Sequence, residues 1–271
     1  MSDIKMPPAV IFCGGMGTRL REITELTPKP MVQIGEQPIL WHIMKCYAAF
    51  GVNRFILCLG YKKEVFTDYF INYRQRRNDF TLTLGDPSSI RYHDISEDEA
   101  RWQVTCVNTG LRSMTGCRLA RIEKYLPADE EDFFLTYGDG LSDVNIAQLY
   151  EFHKQQKSLL TLTAVHPAGR FGEVCLDGDR VADFSEKPLQ HQSGYVSGGF
   201  MVLKKSFIRK YTEDREDLIF EHAPMQNAAG DGVVAAFRHK GFWQCMDRVE
   251  AAERSVHREP VLKRKDCEHC R

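Results

Sequence analysis

The chain carries no excess charge of either sign: 36 Lys and Arg against 37 Asp and Glu leave a formal charge of -1 over 271 residues. No global field draws such a protein onto DNA, RNA or an anionic lipid surface, so any phosphate binding must be local. Long apolar runs are missing as well. The run Ala9 to Cys13 falls far short of the ~20 residues that span a bilayer, and the polar stretch Met1 to Pro8 has no signal-peptide pattern. Neither a membrane span nor an anchor is expected. Internal repeats, low-complexity tracts and a Gly/Ser/Pro linker are also absent, which makes residues 1–271 a single α/β domain. Of the nine cysteines, Cys13, Cys46, Cys58, Cys106 and Cys175 lie inside apolar runs, as buried free thiols do in a reducing cytoplasm. Cys267 and Cys270 form a lone C-x-x-C without the second ligand pair of a closed zinc site, and no metal is assigned to them.

What is present is an alternation of strand and helix signals, the pattern of a mostly parallel sheet covered by helices. Ala9 to Cys13, Phe55 to Leu59, Val104 to Val107 and Phe133 to Tyr137 read as core strands. After Pro38, apolar residues recur at helical spacing until Gly51, and Lys62 to Arg74 reads as a second helix. Asp79 to Arg101 is a polar excursion, and Arg74 to Arg77 a solvated face. Beyond a helix near Asn145 to Gln156 the pattern turns to strands: Leu159 to Val165, a hairpin of Val174 to Leu176 and Val181 to Phe184 about Asp177-Gly178, and Gly199 to Leu203. The second half is therefore expected to add β-rich insertions and an extra layer on the same sheet. Trp41, Phe133, Phe134 and Phe200 are expected in the core, and His42 as a satisfied helix histidine.

The first strand runs directly into Gly14, Gly15, Met16, Gly17, Thr18 and Arg19. Such a turn lets backbone N–H groups face an anion with no side chains in the way. It is neither a P-loop, which needs four residues between its glycines and then Gly-Lys-Ser/Thr, nor a dinucleotide loop, which needs Gly or Ala where Leu20 stands. Arg19 and Lys29 add two cations nearby, and Pro28 and Pro30 restrain the lysine backbone. Asp139, between Gly138 and Gly140, ends a buried strand, where polar groups of open α/β sheets face ligands; taken alone it would be a turn residue.

These features resemble the sugar-nucleotide pyrophosphorylases, whose loop has the form G-G-x-G-T-R-L followed about ten residues later by a lysine between prolines. The resemblance extends through Pro38 to Lys45, Gly60-Tyr61-Lys62, Thr136 to Gly140, Gly169 to Gly172, Glu186-Lys187-Pro188 and Gly241 to Asp247, nearly the whole chain. It implies a Rossmann-like, mixed but mostly parallel sheet flanked by helices. A nucleotide-binding part would cover about 9–140, a β-rich sugar- and metal-binding part about 141–250, and a tail 251–271. The implied reaction is attack of a sugar 1-phosphate oxygen on the α-phosphorus of a nucleoside triphosphate, releasing pyrophosphate, with Mg²⁺ as cofactor. CTP and glucose 1-phosphate are the best-matching pair; dTTP or UTP, or another phosphorylated sugar or polyol, are alternatives within the same chemistry.

By the same resemblance, Arg19 holds the triphosphate and helps pyrophosphate leave, and Lys29 neutralises the α-phosphate. Gly14, Gly15, Gly17, Thr18, Ser113, Gly116, Arg118 and Gly138 contact the nucleotide. Gly172, Glu186, Lys187 and Ser197 contact the sugar phosphate, and Asp139 and Asp247 hold the metal. Asp247 could equally be a surface carboxylate paired with Arg248, and Ser113 to Thr115 could simply cap a helix. Asn108, Cys117, Ser197 and Arg248 depart from the family pattern, which leaves base and sugar open. A homo-oligomer is implied. A non-catalytic nucleotide-sugar sensor is the alternative of another class, and the full set Arg19, Lys29, Asp139 and Asp247 argues against it.

Overall fold

The computed structural model describes residues 5–15, 27–93, 99–166, 173–177, 180–185 and 194–246, with 173–177 and 180–185 given by their backbone. In chain order the strands are β1 Ala9–Phe12, β2 Gln33–Ile34, β3 Gln37–Pro38, β4 Arg54–Leu59, β5 Phe80–Thr83, β6 Asp86–Tyr92, β7 Gln103–Asn108 and β8 Asp132–Tyr137. There follow β9 Gly140–Ser142, β10 Leu160–Val165, β11 Glu173–Asp177, β12 Arg180–Ser185, β13 Val196–Lys204, β14 Val234–His239 and β15 Trp243–Cys245. The described α-helices are α1 Ile39–Ala48, α2 Lys63–Ile71, α3 Tyr73–Arg77, α4 Thr115–Ile122, α5 Ile146–Gln156, α6 Lys205–Tyr211 and α7 Ala223–Gly230. None is long and apolar enough to cross a membrane among the described residues.

Seven strands form one sheet in the order β14-β10-β13-β8-β1-β4-β7. The pairs β1–β4, β1–β8, β4–β7 and β10–β14 are parallel, and β13 is antiparallel to both β8 and β10. This is the mixed, mostly parallel sheet expected. Because strand side chains alternate between faces, β1 feeds two cores. Ala9 and Ile11 pack with Leu40, Ile43 and Tyr47 of α1, whereas Val10 and Phe12 pack with Leu119 of α4 and Phe207 of α6. Burial on both faces is why β1, β4 and β8 read as continuous apolar runs.

Local chemistry sets the helix limits. Gly51, with φ +87°, closes the turn after α1, and its N–H bonds to Ala48 O at 2.9 Å. Asn145 caps α5 by accepting from Gln148 N at 2.9 Å. The helix expected over Lys62 to Arg74 is broken at Asn72, whose side-chain amide bonds back to Asp68 O (3.0 Å) and Asp68 Oδ1 (2.8 Å). The segment resumes as α3. There the expected solvated face is partly engaged: Arg74 lies 5.0 Å from the Tyr92 ring of the β5–β6 hairpin, and Arg76 pairs with Asp68. That hairpin is the polar excursion, folded as a two-stranded sheet of its own.

Four expectations need correction. β7, where Val104 to Val107 was expected as a core strand, is the edge of the sheet with one face open, and Cys106 on it is exposed and not a buried thiol. Trp41 lies half-buried on the outer side of α1, where Nε1 donates to Tyr73 OH at 3.0 Å, and not in the core with Phe133, Phe134 and Phe200. An indole N–H needs an acceptor, and the aromatic rim supplies one. The second half also contains two helices, α6 and α7, besides its strands. Finally, β10, β13 and β14 join the first-half sheet as expected, but side by side at its edge and not as an added layer. The β11–β12 hairpin pairs as read from sequence, and His42 Nε2 is satisfied by Ile34 O at 2.9 Å.

One charged cluster locks the junction of the two halves. Asp132 and Lys204 are direct partners across β8 and β13, with Lys204 Nζ 3.0 Å from Asp132 Oδ1. Tyr150 OH donates to Asp132 Oδ2 at 3.2 Å, and His153 Nε2 stands 3.7 Å from Oδ1. Burial alone would raise the carboxyl pKa, but the hydrogen-bonded Lys204 ammonium and the nearby His153 ring outweigh it and hold the group at about 2. A depressed carboxylate contributes stability above the ordinary carboxylate range and loses it as pH falls through its folded value. Asp132→Asn is expected to lower unfolding free energy by about 2 kcal/mol at neutral pH. The gap from wild type should close between about pH 4 and pH 2, as read by urea unfolding across pH.

Candidate active site

Parallel strands put their carboxyl ends on one edge of the sheet, and antiparallel β13 begins there. Cys13, Gly14 and Gly15 follow β1, Gly60 follows β4, Thr109 and Gly110 follow β7, and Gly138 and Asp139 follow β8. A cavity of 320 Å³ opens between them, lined by Phe12 to Gly15, Lys29, Pro30, Ser113 to Thr115, Arg118 and Tyr137 to Asp139. Thus Gly14, Gly15, Lys29, Ser113, Arg118, Gly138 and Asp139, all chosen from sequence, share one cleft. A larger, open groove of 820 Å³ lies elsewhere, near Arg121, Lys205 and Arg209. There Arg121 pairs with Asp214, Arg209 with Glu123, and Lys205 with the Pro127 carbonyl.

Lys29 sits in a 3-10 turn, Lys29–Met31, that Pro28 and Pro30 preset. Its Nζ donates to Asp139 Oδ2 at 2.6 Å across 110 residues of sequence, and both side chains are largely buried. The contact depends on Gly138. A Cβ there would lie 2.8 Å from Pro30 Cγ and 3.0 Å from Phe12 O, so only glycine lets the lysine turn lie over the end of β8.

Arg118 has a different setting from the one its sequence position suggests. The residue is 4% exposed. Nη1 donates to Leu59 O (3.0 Å) and Thr109 Oγ1 (2.6 Å), and Nη2 to Gly14 O (2.9 Å). It therefore binds the glycine loop to the ends of β4 and β7 while also lining the cavity. Burial lowers its pKa, the buried thiols of Cys58, Cys117 and Cys13 oppose this, and the group stays a cation. A Cβ on Gly14 would come 2.1 Å from Arg118 Nη1, and on Gly60 2.7 Å. The first glycine of the loop is thus set by the arginine packed beneath it, whereas Gly15 has nothing near its Cβ direction within 4 Å. Burial pushes the Cys13 thiol well up, so it stays protonated.

Ser113 Oγ accepts from Arg121 Nη1 at 2.7 Å. Gly116 is not among the cavity-lining residues: its N–H bonds to Leu218 O at 2.9 Å, and a Cβ would lie 2.7 Å from Leu218 Cγ. Ser197 is exposed at the start of β13, opposite Ala164, on the same sheet edge but outside this cavity's lining. Gly17, Thr18, Arg19, Gly172, Glu186, Lys187 and Asp247, with the Cys267/Cys270 tail, lie outside the described residues. Their neighbours are informative. β12 ends at Ser185, so Glu186 follows it directly, and Met246 N bonds to Asp139 O at 2.8 Å, which brings the chain before Asp247 to the Asp139 backbone. That approach is set by β15 pairing with β9 and by Gly241, where a Cβ would meet Asp143 Oδ1 at 2.3 Å.

Four groups at the cleft were not chosen from sequence. Thr109 is a partner of Arg118, and Tyr137 and Thr115 both bond to the carboxylate of Glu221. Glu221 stands between Phe220 and His222 before a proline-started helix, and no spacing signal marked it.

The chain belongs to the nucleotidyl transferase family, whose model matches residues 8–246. Among curated relatives, the glucose-1-phosphate cytidylyltransferase of Salmonella typhi is 44% identical over 241 residues, covering 89% of this chain and 91% of that protein. A probable glucose-1-phosphate cytidylyltransferase of Bacillus subtilis is 39% identical over 239 residues, covering 88% and 91%. Among solved structures, HddC from Yersinia pseudotuberculosis complexed with GMP-PN aligns with a TM-score of 0.65 at 24% identity, over 93% of this chain and 99% of that one. This last likeness bears on the fold.

Gly138→Ala is expected to cost about 1–3 kcal/mol of stability by overpacking against Pro30. Gly140→Ala, with nothing within 4 Å of its Cβ direction, should cost less than about 1 kcal/mol. Chemical denaturation of both variants reads the contrast.

Proposed function

We propose that the chain transfers the cytidylyl group of CTP to α-D-glucose 1-phosphate, forming CDP-glucose and pyrophosphate. The observation that carries the proposal is the shared cleft. A loop of bare backbone, Gly14 and Gly15, faces a cavity that also holds Lys29 and Asp139 joined at 2.6 Å. The 44% identity to the Salmonella typhi enzyme supports the choice of substrates.

In this reading a phosphate oxygen of the sugar 1-phosphate attacks the α-phosphorus of CTP. The bond to the β,γ-diphosphate breaks as the new P–O bond forms. The nucleophile is already an anion near neutral pH, so the protein needs no general base. Its task is to overcome repulsion between two anions and to stabilise charge in the transition state. Lys29 does this at the α-phosphate, and Arg19 at the departing diphosphate. The N–H groups of Gly14 and Gly15, with Gly17 and Thr18, receive the triphosphate; Ser113, Gly116, Arg118 and Gly138 shape the nucleotide end. Glu186 accepts hydrogen bonds from sugar hydroxyls and Lys187 pairs with the sugar's phosphate, with Gly172 and Ser197 completing that side.

The carboxylates of Asp139 and Asp247 would hold Mg²⁺. The fit rests on a hard oxygen donor at the cavity wall and on the Met246–Asp139 backbone bond that leads the chain toward Asp247. Few protein carboxylates joined by phosphate oxygens is the usual arrangement for this ion, and no group of three or more His, Cys, Asp or Glu ready to hold a metal is found among the described residues. When bound, the ion supplies charge neutralisation at the phosphates. Cytoplasmic residence agrees with the free thiols of Cys13, Cys58 and Cys117. A homo-oligomer agrees with Phe80 and Leu84, apolar and exposed on the β5–β6 hairpin.

The test is a matrix of CTP, dTTP, UTP, ATP and GTP against several sugar 1-phosphates, scored by product mass. CTP with glucose 1-phosphate should give the highest rate, and a different preferred pair would overturn the assignment. Lys29→Ala and Asp139→Ala should each lower turnover by about 100-fold or more with unfolding midpoints close to wild type. Wild-type rates in either would remove that residue from the mechanism. Chelation by EDTA should abolish pyrophosphate release, and added Mg²⁺ should restore it.

A further inference from the structure

We infer that Glu221 is a positioning residue for the nucleotide, holding both walls of the cavity through Tyr137 and Thr115; the inference rests on the functional reading above. Tyr137 and Thr115 line the cavity and Glu221 does not. Tyr137 ends β8, two residues before Asp139, and Thr115 opens α4. One oxygen of the Glu221 carboxylate accepts from Tyr137 OH, and the other accepts from Thr115 Oγ1 at 2.6 Å. The two walls of the cleft thus meet on one exposed side chain.

Neither partner is loosely held otherwise. The Tyr137 ring packs 5.7 Å from Phe12 and against the bare Cα of Gly199, where a Cβ would lie 2.7 Å from Tyr137 Cδ2. Thr115 Oγ1 also accepts from Phe220 N at 2.9 Å. The segment preceding Glu221 lies along the start of α4: Glu216 O accepts from Met114 N (2.8 Å), and Leu218 O from Gly116 N (2.9 Å) and Cys117 N (3.3 Å). Backbone bonds therefore hold the helix start to this segment, and Glu221 is the link from there to the strand that carries Asp139. A carboxylate only accepts, so both hydroxyl hydrogens are directed to it and neither hydroxyl is left to rotate.

Losing Glu221 releases both walls together, and the loss should fall on the substrate that fills this end of the cleft. Steady-state constants are measured for wild type, Glu221→Ala, Glu221→Gln, Tyr137→Phe and the double variant Glu221→Ala/Tyr137→Phe. CTP and glucose 1-phosphate are varied separately. If wild type prefers another triphosphate in the substrate matrix, that triphosphate is used instead, so a wrong base assignment does not alter this test. Glu221→Ala is expected to raise KM for the triphosphate about tenfold and to leave KM for the sugar phosphate within about twofold. Glu221→Gln keeps the shape and one acceptor, and should return most of the loss. In the double variant, Glu221→Ala should cost less than it does alone. An unchanged triphosphate KM, an equal rise for both substrates, a Gln variant as impaired as Ala, or additive effects in the double variant would each overturn the inference.

Discussion

The ammonium of Lys29 reaches the carboxylate of Asp139 because Gly138 has no side chain and Pro30 rests on its Cα. The rest of the cleft is organised around that contact. It joins a proline-held turn to the end of β8, beside the end of β1 where the glycine loop starts. The parallel pairing of β1 with β8 and β4 brings these ends to one edge. An ion pair between largely buried groups is itself a modest contributor to stability. Its place is the cavity wall, where it fixes two opposite charges 2.6 Å apart.

Much of the fold was legible in the sequence, since strands buried on both faces have to be continuous apolar runs. Ala9 to Phe12, Arg54 to Leu59 and Asp132 to Tyr137 show this, and the Asp-Gly hairpin marked β11 and β12. The later helices were harder to read. Lys205 to Tyr211 has only Phe207, Ile208 and Tyr211 to signal a face, and Ala223 to Gly230 is short and weakly amphipathic. That β10, β13 and β14 sit side by side at the edge of that sheet, in the order β14-β10-β13-β8, is a matter of pairing between distant strands, which composition does not carry. Asn72 stopped a helix through side-chain bonds to Asp68 that only coordinates display.

The site divides in the same way. Gly14, Gly15 and Lys29 were read from a glycine turn at a strand end with a proline-held lysine beyond it, and Asp139 from the end of a strand together with the resemblance; the fold brings all four to one cavity. Arg118 was found by resemblance, but its hold on Gly14 O, Leu59 O and Thr109 depends on three chain segments far apart in sequence. The glycines at 14 and 60 make room for that guanidinium, so a loop that looks shaped for its ligand is partly shaped by its own protein. Glu221 left no trace in the sequence, because an isolated acidic residue before a helix is common on any surface.

The bond from Leu218 O to the N–H groups of Gly116 and Cys117 has a practical consequence for inhibitor chemistry. The start of α4 points toward the cavity, yet part of its donor capacity is already spent on a carbonyl oxygen. An acidic group brought to that helix end would find those two N–H groups already bonded, so compounds for the α4 end are better kept neutral.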